Sequence, residues 1–346
     1  MQSTTPGARL DWILFGLLGL FWGSSYLFIK IGVESIPPLT LVAGRLAIGA
    51  LILGIVLRAS RVTLPRDRRI YGHLAVMACI NIAIPFSLIT WGEQSIDSAL
   101  AAVLNSTVPL FTIWLAALVF PTEALTVNRL VGVVVGFAGV VVVVGLGSGA
   151  EEGLAGLAGE IALIGSSLSY ALGAVYARRF VHGLTPTVPA FFQVAFACLI
   201  TGSLALTLEA PWTLTPATEA IVAIVWLGIV GSSMAYLIFF RLIRDWGPTR
   251  TTLVAYLLPI VGIVLGAVVL GEVIDARMII GTALVIGGVA LVNSRRWSRR
   301  LFARSGAEAP PIAPEAVAVA DEAMELVDDP AGPPGLGGDD EEATAG

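Results

Sequence analysis

Ten apolar runs of about 20 residues follow one another along this chain, separated by short polar connections. A helix rises 1.5 Å per residue, so about 20 residues carry it across a hydrocarbon core of roughly 30 Å. The runs fall at 11–31, 38–57, 70–91, 97–119 and 127–147, then at 157–178, 189–208, 218–240, 249–270 and 275–293. They are continuously apolar rather than alternating, which points to helices and away from a β-barrel. Only 13% of the residues are charged and 56% are apolar. Soluble domains carry about 25% charged residues. The sequence therefore predicts an all-α integral membrane protein whose first partner is the lipid bilayer.

Charge orients the spans. From Leu301 onward there are eleven acids and one base, Arg304, leaving 14 acids and 19 bases before it. The net charge of −5 thus describes the tail, not the membrane body. With the N-terminus in the cytoplasm, 16 arginines fall on the inner side: Arg9, Arg58, Arg61, Arg66, Arg68, Arg69, Arg129, Arg178, Arg179, Arg241, Arg244, Arg250, Arg295, Arg296, Arg299 and Arg300. The outer side holds Arg277 and Lys30 beside acids that include Glu34, Glu93, Asp97, Glu209, Glu272 and Asp275. The positive-inside rule then predicts a multi-pass protein of the inner (plasma) membrane with both termini cytoplasmic. The first run, behind the single Arg9, is read as a retained helix rather than a cleaved signal.

The two halves resemble each other. Pro109 precedes Glu123 as Pro259 precedes Glu272, and at an offset of 149 Gly132 matches Gly281 and Gly139 matches Gly288. Upstream, Pro38 answers Pro186 and Lys30 answers Arg178. Five helices per copy is an odd number, so the second copy enters the membrane inverted. Two inverted five-helix repeats are a hallmark of secondary transporters, whose substrate sites lie near the midplane between the repeats.

The combination Phe21-Trp-Gly-Ser-Ser-Tyr26, Pro38 with Arg45, Pro109 with Glu123-Ala-Leu-Thr126, and Pro259 with Gly271-Glu-Val-Ile-Asp275 resembles the EamA-type branch of the drug/metabolite transporter superfamily. The resemblance spans residues 11 to about 294 in two copies. The first copy departs in having Pro121-Thr122-Glu123 where the second has Gly271-Glu272. It implies export of metabolites or drugs across a bacterial inner membrane, with amino acids among the substrates. The chain is accordingly divided into a cytoplasmic start (1–10), a first repeat (11–147), an extracytoplasmic linker (148–156), a second repeat (157–294), and a basic anchor with a disordered acidic tail (295–346).

Several residues are candidates for the substrate site. Arg45 lies seven residues into the second run, and an ionisable group at that depth marks a cavity or an ion pair unless it snorkels or pairs with Glu34. Trp22, Ser25 and Tyr26 share one helix face, suited to a solute cavity or to helix packing. Asn81, Asn105 and Ser106 stand beside the prolines Pro85 and Pro109; a proline frees a carbonyl four residues back, Asn105 for Pro109 and Ala255 for Pro259. Such groups are tolerated where they line a cavity or meet polar side chains. Tyr170, Gln193, Ser232, Tyr236 and Tyr256 are their counterparts in character in the second half. Glu123 and Glu272 are assigned structural roles at the starts of the fifth and tenth runs, near the N-caps Thr126 and Asp275. Lys30 is read as a snorkelling residue at the outer face.

Other chemistries find little support. Cys79 and Cys198 lie inside apolar runs, and His73 and His182 have no companion ligands, so neither a metal nor another cofactor is expected. Gly145-x-Gly147-x-Gly149 follows a membrane helix rather than a strand and is no nucleotide loop. Arg66 to Arg69 suit anionic lipid rather than nucleic acid. The reading is a carrier of small molecules, not an enzyme, with a proton as a candidate coupling ion and no oligomeric state encoded. A multidrug exporter is the alternative, and a membrane enzyme acting on lipid-linked substrates a more distant one.

Overall fold

The computed structural model describes residues 6–120, 126–145, 153–181, 184–246 and 251–293. Ten helices among them are long and apolar enough to cross a membrane: α1 (Leu10–Val33), α2 (Pro38–Ala59), α3 (Arg68–Gly92), α4 (Ser98–Val119), α5 (Val127–Val144), α6 (Gly153–Phe180), α7 (Thr187–Leu208), α8 (Thr218–Leu242), α9 (Leu253–Leu270) and α10 (Ala276–Asn293). Glu123, His182, most of the linker and the acidic tail lie outside the described residues.

The helix ends follow the local sequence. Pro38 occupies the first turn of α2, where its missing N–H is no loss. Asp67 Oδ1 accepts from Arg69 N at 2.9 Å to start α3, and Asp275 Oδ1 accepts from Met278 N at 2.8 Å to start α10. Thr126 Oγ1 accepts more weakly from Arg129 N at 3.4 Å at the head of α5. Large apolar side chains such as Leu51, Leu118, Val134, Leu199 and Val268 stay exposed, as a lipid-facing surface requires.

The repeats interleave rather than sit side by side. α1 packs on α8 and α9, and the inverted equivalents α6 and α3, α6 and α4 pack likewise. α2 crosses α7, α4 meets α9, and α5 lies along α10. Gly262 lies against Ala102 at the α4–α9 crossing. The irregular turns also recur: α3 widens to a π-turn at Cys79–Ala83 and α8 at Leu227–Met234. α4 breaks after Asn105 and resumes at Val108, and α9 opens with a 3₁₀ turn at Thr252–Tyr256. π-turns inside helices gather at functional sites.

At the end of the bundle that holds the α3–α4 connection, two carboxylates cross between repeats. Glu209, after α7, accepts from Leu39 N at 2.9 Å and from Thr40 N and Oγ1 at 2.7 Å. Glu272, after α9, accepts from Ser98 N at 2.8 Å, Ser98 Oγ at 2.7 Å and Ala99 N at 2.9 Å. Each supplies the orphan donors of a helix start in the other repeat. Glu272 thus accepts at the head of α4 rather than at the head of α10, where Asp275 already fills the cap.

Candidate functional site

Side chains from both repeats converge on Arg45. It is 3% exposed, and its Nε donates to Ser232 Oγ at 3.2 Å while its guanidinium lies 4.3 Å from the centre of the Phe86 ring. α2 delivers it, α3 supplies the ring, and the π-turn of α8 supplies the hydroxyl. Gly231 leaves the space the arginine occupies: a Cβ there would stand 3.2 Å from Arg45 Nη2 and 3.0 Å from Ser25 Oγ. Tyr26, Tyr170 and Tyr236 are close enough to Arg45 to interact with it electrostatically. Among the described residues no carboxylate pairs with Arg45, so neither snorkelling nor the Glu34 pair accounts for it. Glu93 is also near enough to act on Arg45 electrostatically but does not pair with it. A buried guanidinium without a directly paired counter-charge is costly, a cost the hydrogen bond and the ring face compensate only in part.

A second polar group adjoins the first. Asn105 Nδ2 donates to Tyr26 Oη at 2.7 Å, and Asn105 Oδ1 accepts from Ser166 Oγ at 3.1 Å. Ser167 Oγ donates to Leu104 O at 3.2 Å, and Thr107 Oγ1 donates to the same oxygen at 2.7 Å. The break before Pro109 is therefore served by hydroxyls, at the Leu104 carbonyl rather than at Asn105. Trp22 packs edge-on against Tyr236 with ring centres 6.1 Å apart and also against Phe239 at 5.2 Å.

The structure thus brings together Trp22, Ser25, Tyr26, Arg45, Asn105, Tyr170, Ser232 and Tyr236. Asn81 and Gln193 form their own pair, Nδ2 to Oε1 at 3.3 Å, five residues before Phe86 on α3. Ser106 turns back on its own helix, donating to Val103 O at 2.6 Å. Tyr256 stands apart, accepting from Asn293 Nδ2 at 2.9 Å and packing on Leu110, Val133, Val289 and Val292.

Sequence reasoning missed Ser166 and Ser167. Their signal was there: Gly-Ser-Ser occurs at 23–25, 165–167 and 231–233, and all three contribute. It also misread the C-terminal end of α1. Lys30 does not snorkel but donates to the carbonyls of Glu93 at 2.9 Å and Ile96 at 2.7 Å, closing the C-terminal end of α3. Beside it the Glu93 side chain is fully buried with neither carboxyl oxygen hydrogen-bonded. His73 Nδ1 lies 2.8 Å from Tyr176 Oη and the ring stacks on Phe180.

With this arrangement in view, known proteins give its context. The sequence profile described as the EamA-like transporter family matches residues 10–145 and again residues 157–294. The chain belongs to that family. It is a multi-pass membrane protein of the transporter class, built as two inverted five-helix repeats. This EamA-like transporter is 31% identical over 297 residues to the uncharacterized inner membrane transporter YedA of Escherichia coli (strain K12), covering 82% of this chain and 92% of that protein. It is 24% identical to the uncharacterized transporter YvbV of Bacillus subtilis (strain 168), over 84% and 94% of the two chains. A third relative, at 26% identity over 81% of this chain and 92% of its own length, is named a probable terminal-alkyne amino-acid exporter, from Streptantibioticus cattleyicolor. A solved crystal structure superposes with a TM-score of 0.59 at 21% identity, over 82% of this chain and 96% of that one, a likeness of fold.

Proposed function

We propose that this transporter is a secondary carrier that exports small metabolites, amino acids among them, by alternating access through a cavity between its repeats. The observation that carries the reading is Arg45, a buried cation with no carboxylate paired to it among the described residues, ringed by hydroxyl and aromatic side chains from both repeats. Rings of that kind receive apolar parts of a solute, while a guanidinium and hydroxyls orient its polar end. The amino-acid class is also supported by the name of one relative. Residence in the inner membrane with both termini cytoplasmic is supported by the arginine distribution and by the name of the E. coli relative.

The test is counterflow of radiolabelled amino acids and related metabolites into liposomes holding the purified protein, with Arg45→Ala and Tyr26→Phe alongside. Saturable exchange by the native protein, reduced at least tenfold in Arg45→Ala, is the expected result. Absence of exchange for every solute class would remove the carrier reading. Full exchange in both variants would keep the carrier and move its site away from Arg45.

A further inference from the structure

The α3–α4 end of the bundle holds a group that the central site does not use. Glu93 follows the last turn of α3, its side chain is 0% exposed, and both carboxyl oxygens lack any hydrogen-bond partner. An ionised carboxylate left in that state would lose its hydration with no donor in return, so a buried, unpaired carboxyl takes up a proton instead. The surroundings reinforce this. On α1, the Lys30 ammonium is engaged by the carbonyls of Glu93 and Ile96 and forms no ion pair with the Glu93 carboxyl. The carbonyl end of α3 is itself negative. Glu272, reaching in from the α9–α10 connection, is an anion already satisfied by the head of α4. Asp97 lies near both Lys30 and Glu272, and Arg45 on α2 and Tyr26 on α1 are more distant electrostatic neighbours. On α6, Glu160 is likewise buried and follows Gly159, which touches Gly92.

We propose that Glu93 is a proton-binding site of this transporter, neutral while the α3–α4 end is closed and ionised when that end opens. The inference deepens the carrier reading and rests on it for the meaning of opening. In the closed arrangement the proton sits on a Glu93 carboxyl oxygen. Opening parts Lys30 from the two carbonyls, and the freed ammonium then faces a carboxyl that meets water; the proton leaves to solution and Lys30 stabilises the anion. Because the closed form holds one more proton than the open form, rising pH shifts the population toward the open end. Burial holds the Glu93 carboxyl well above the usual glutamate range, with Lys30 opposing that rise and Glu272 adding to it.

Two measurements test this without knowing the solute. Infrared titration of the protein in lipid should show a protonated-carboxyl band that persists well above the ordinary glutamate value of about 4.3. The band should vanish in Glu93→Gln, return at an altered pH in Glu93→Asp, and survive in Glu272→Gln. A band that ends in the ordinary range, or that survives in Glu93→Gln, overturns the assignment and leaves the carrier reading untouched. The second measurement places a cysteine at Ile96, buried beneath Lys30, in a chain whose Cys79 and Cys198 are alanine. Its maleimide labelling is compared with that of the same cysteine in Glu93→Gln, which cancels the thiol's own titration. The ratio should rise severalfold across the pH range in which the Glu93 band disappears; a flat ratio there would show that the proton is not coupled to opening.

Discussion

Gly132 and Gly288 meet backbone to backbone: a Cβ on Gly132 would stand 2.6 Å from the Gly288 carbonyl oxygen, and one on Gly288 would stand 2.5 Å from that of Gly132. Seven residues along α5, Gly139 meets Gly281 in the same way, at 2.7 and 2.8 Å. The offset of 149 maps Gly132 onto Gly281 and Gly139 onto Gly288. Each glycine therefore touches the image of the other, which is the reciprocity a two-fold axis demands of a self-complementary contact. In lipid, where burial of apolar surface gives helices no drive to associate, such close backbone approach is a main source of cohesion.

The crossing makes a sharp prediction for α10. Gly288→Leu forces a side chain onto the Gly132 carbonyl and the Gly136 backbone, which cannot rotate aside as a flexible side chain does. Overpacking costs about 1–3 kcal/mol, and rigid neighbours put this case at the upper end. Gly287, one residue earlier, faces open space, and Gly287→Ala should be neutral or raise stability by up to roughly 1 kcal/mol. Thermal unfolding in detergent separates the two; equal losses in both would mean that α10 does not lie on α5 in this register.

The paired latches at the α3–α4 end predict a second asymmetry. Glu272→Gln keeps one acceptor for the head of α4 but loses the charge, whereas Glu272→Ala leaves Ser98 N and Ala99 N without their partner. Hydrogen bonds to charged groups contribute about 1.5–3 kcal/mol. Alanine should therefore lower the unfolding midpoint by several degrees and glutamine by less, with Glu209→Ala and Glu209→Gln following the same order at Leu39 and Thr40. If both latches hold that end shut, a cysteine at Ile96 labels faster in either alanine variant.

How much of this was legible in the sequence follows from what each contact depends on. Span length and period are local, so the ten helices and the caps Thr126 and Asp275 could be read directly. The 149-residue offset was readable because glycine admits no substitute at a backbone crossing. Glu272 was not: its neighbours in sequence suggest a cap on α10, and only the interleaving of repeats brings the head of α4 within reach. Lys30 and Glu93 failed for a related reason. A charge near a span end reads as snorkelling or as surface when the ends are taken one at a time, whereas the burial of Glu93 and the partial burial of Lys30 arise only where helix ends meet in the fold. Arg45 stood out because an ionisable group seven residues into a span is costly without a cavity or a partner.

Two aspartates at the same end should respond to pH with opposite signs. Hydrogen bonds from Met278 N and then from Arg277 hold the Asp275 carboxyl below the usual aspartate range. Its folded-state value lies under the unfolded one, so the stability it contributes is present at neutral pH and fades as pH falls through the acid range. Partial desolvation, then Glu272, push Asp97 upward, with Lys30 opposing them. Its charge weakens the fold at neutral pH and ceases to matter once both states are protonated. Unfolding midpoints should therefore fall for Asp275→Asn and rise slightly for Asp97→Asn at pH 7, with both differences shrinking as pH falls below the ordinary aspartate value of about 3.9. A shift of the same sign for both would refute the argument.

Arg45→Lys tests whether charge alone suffices at the centre. Lysine keeps the cation but loses the flat face that lies on Phe86 and the Nε–H that reaches Ser232. If the site uses the guanidinium as an oriented fork, Arg45→Lys should behave like Arg45→Ala in counterflow, with exchange down at least tenfold and an unfolding midpoint within a few degrees of the native protein. Ser232→Ala removes one hydrogen bond to a charged group, about 1.5–3 kcal/mol, but leaves the ring contact, and should give an intermediate loss. Tyr26→Phe removes the phenol oxygen that accepts from Asn105, and because Tyr26 and Ser232 both act on Arg45 its loss should fall short of multiplying with that of Ser232→Ala. Retention of native exchange by Arg45→Lys would mean that a point charge is all the centre supplies, and that the Phe86 and Ser232 contacts serve packing alone.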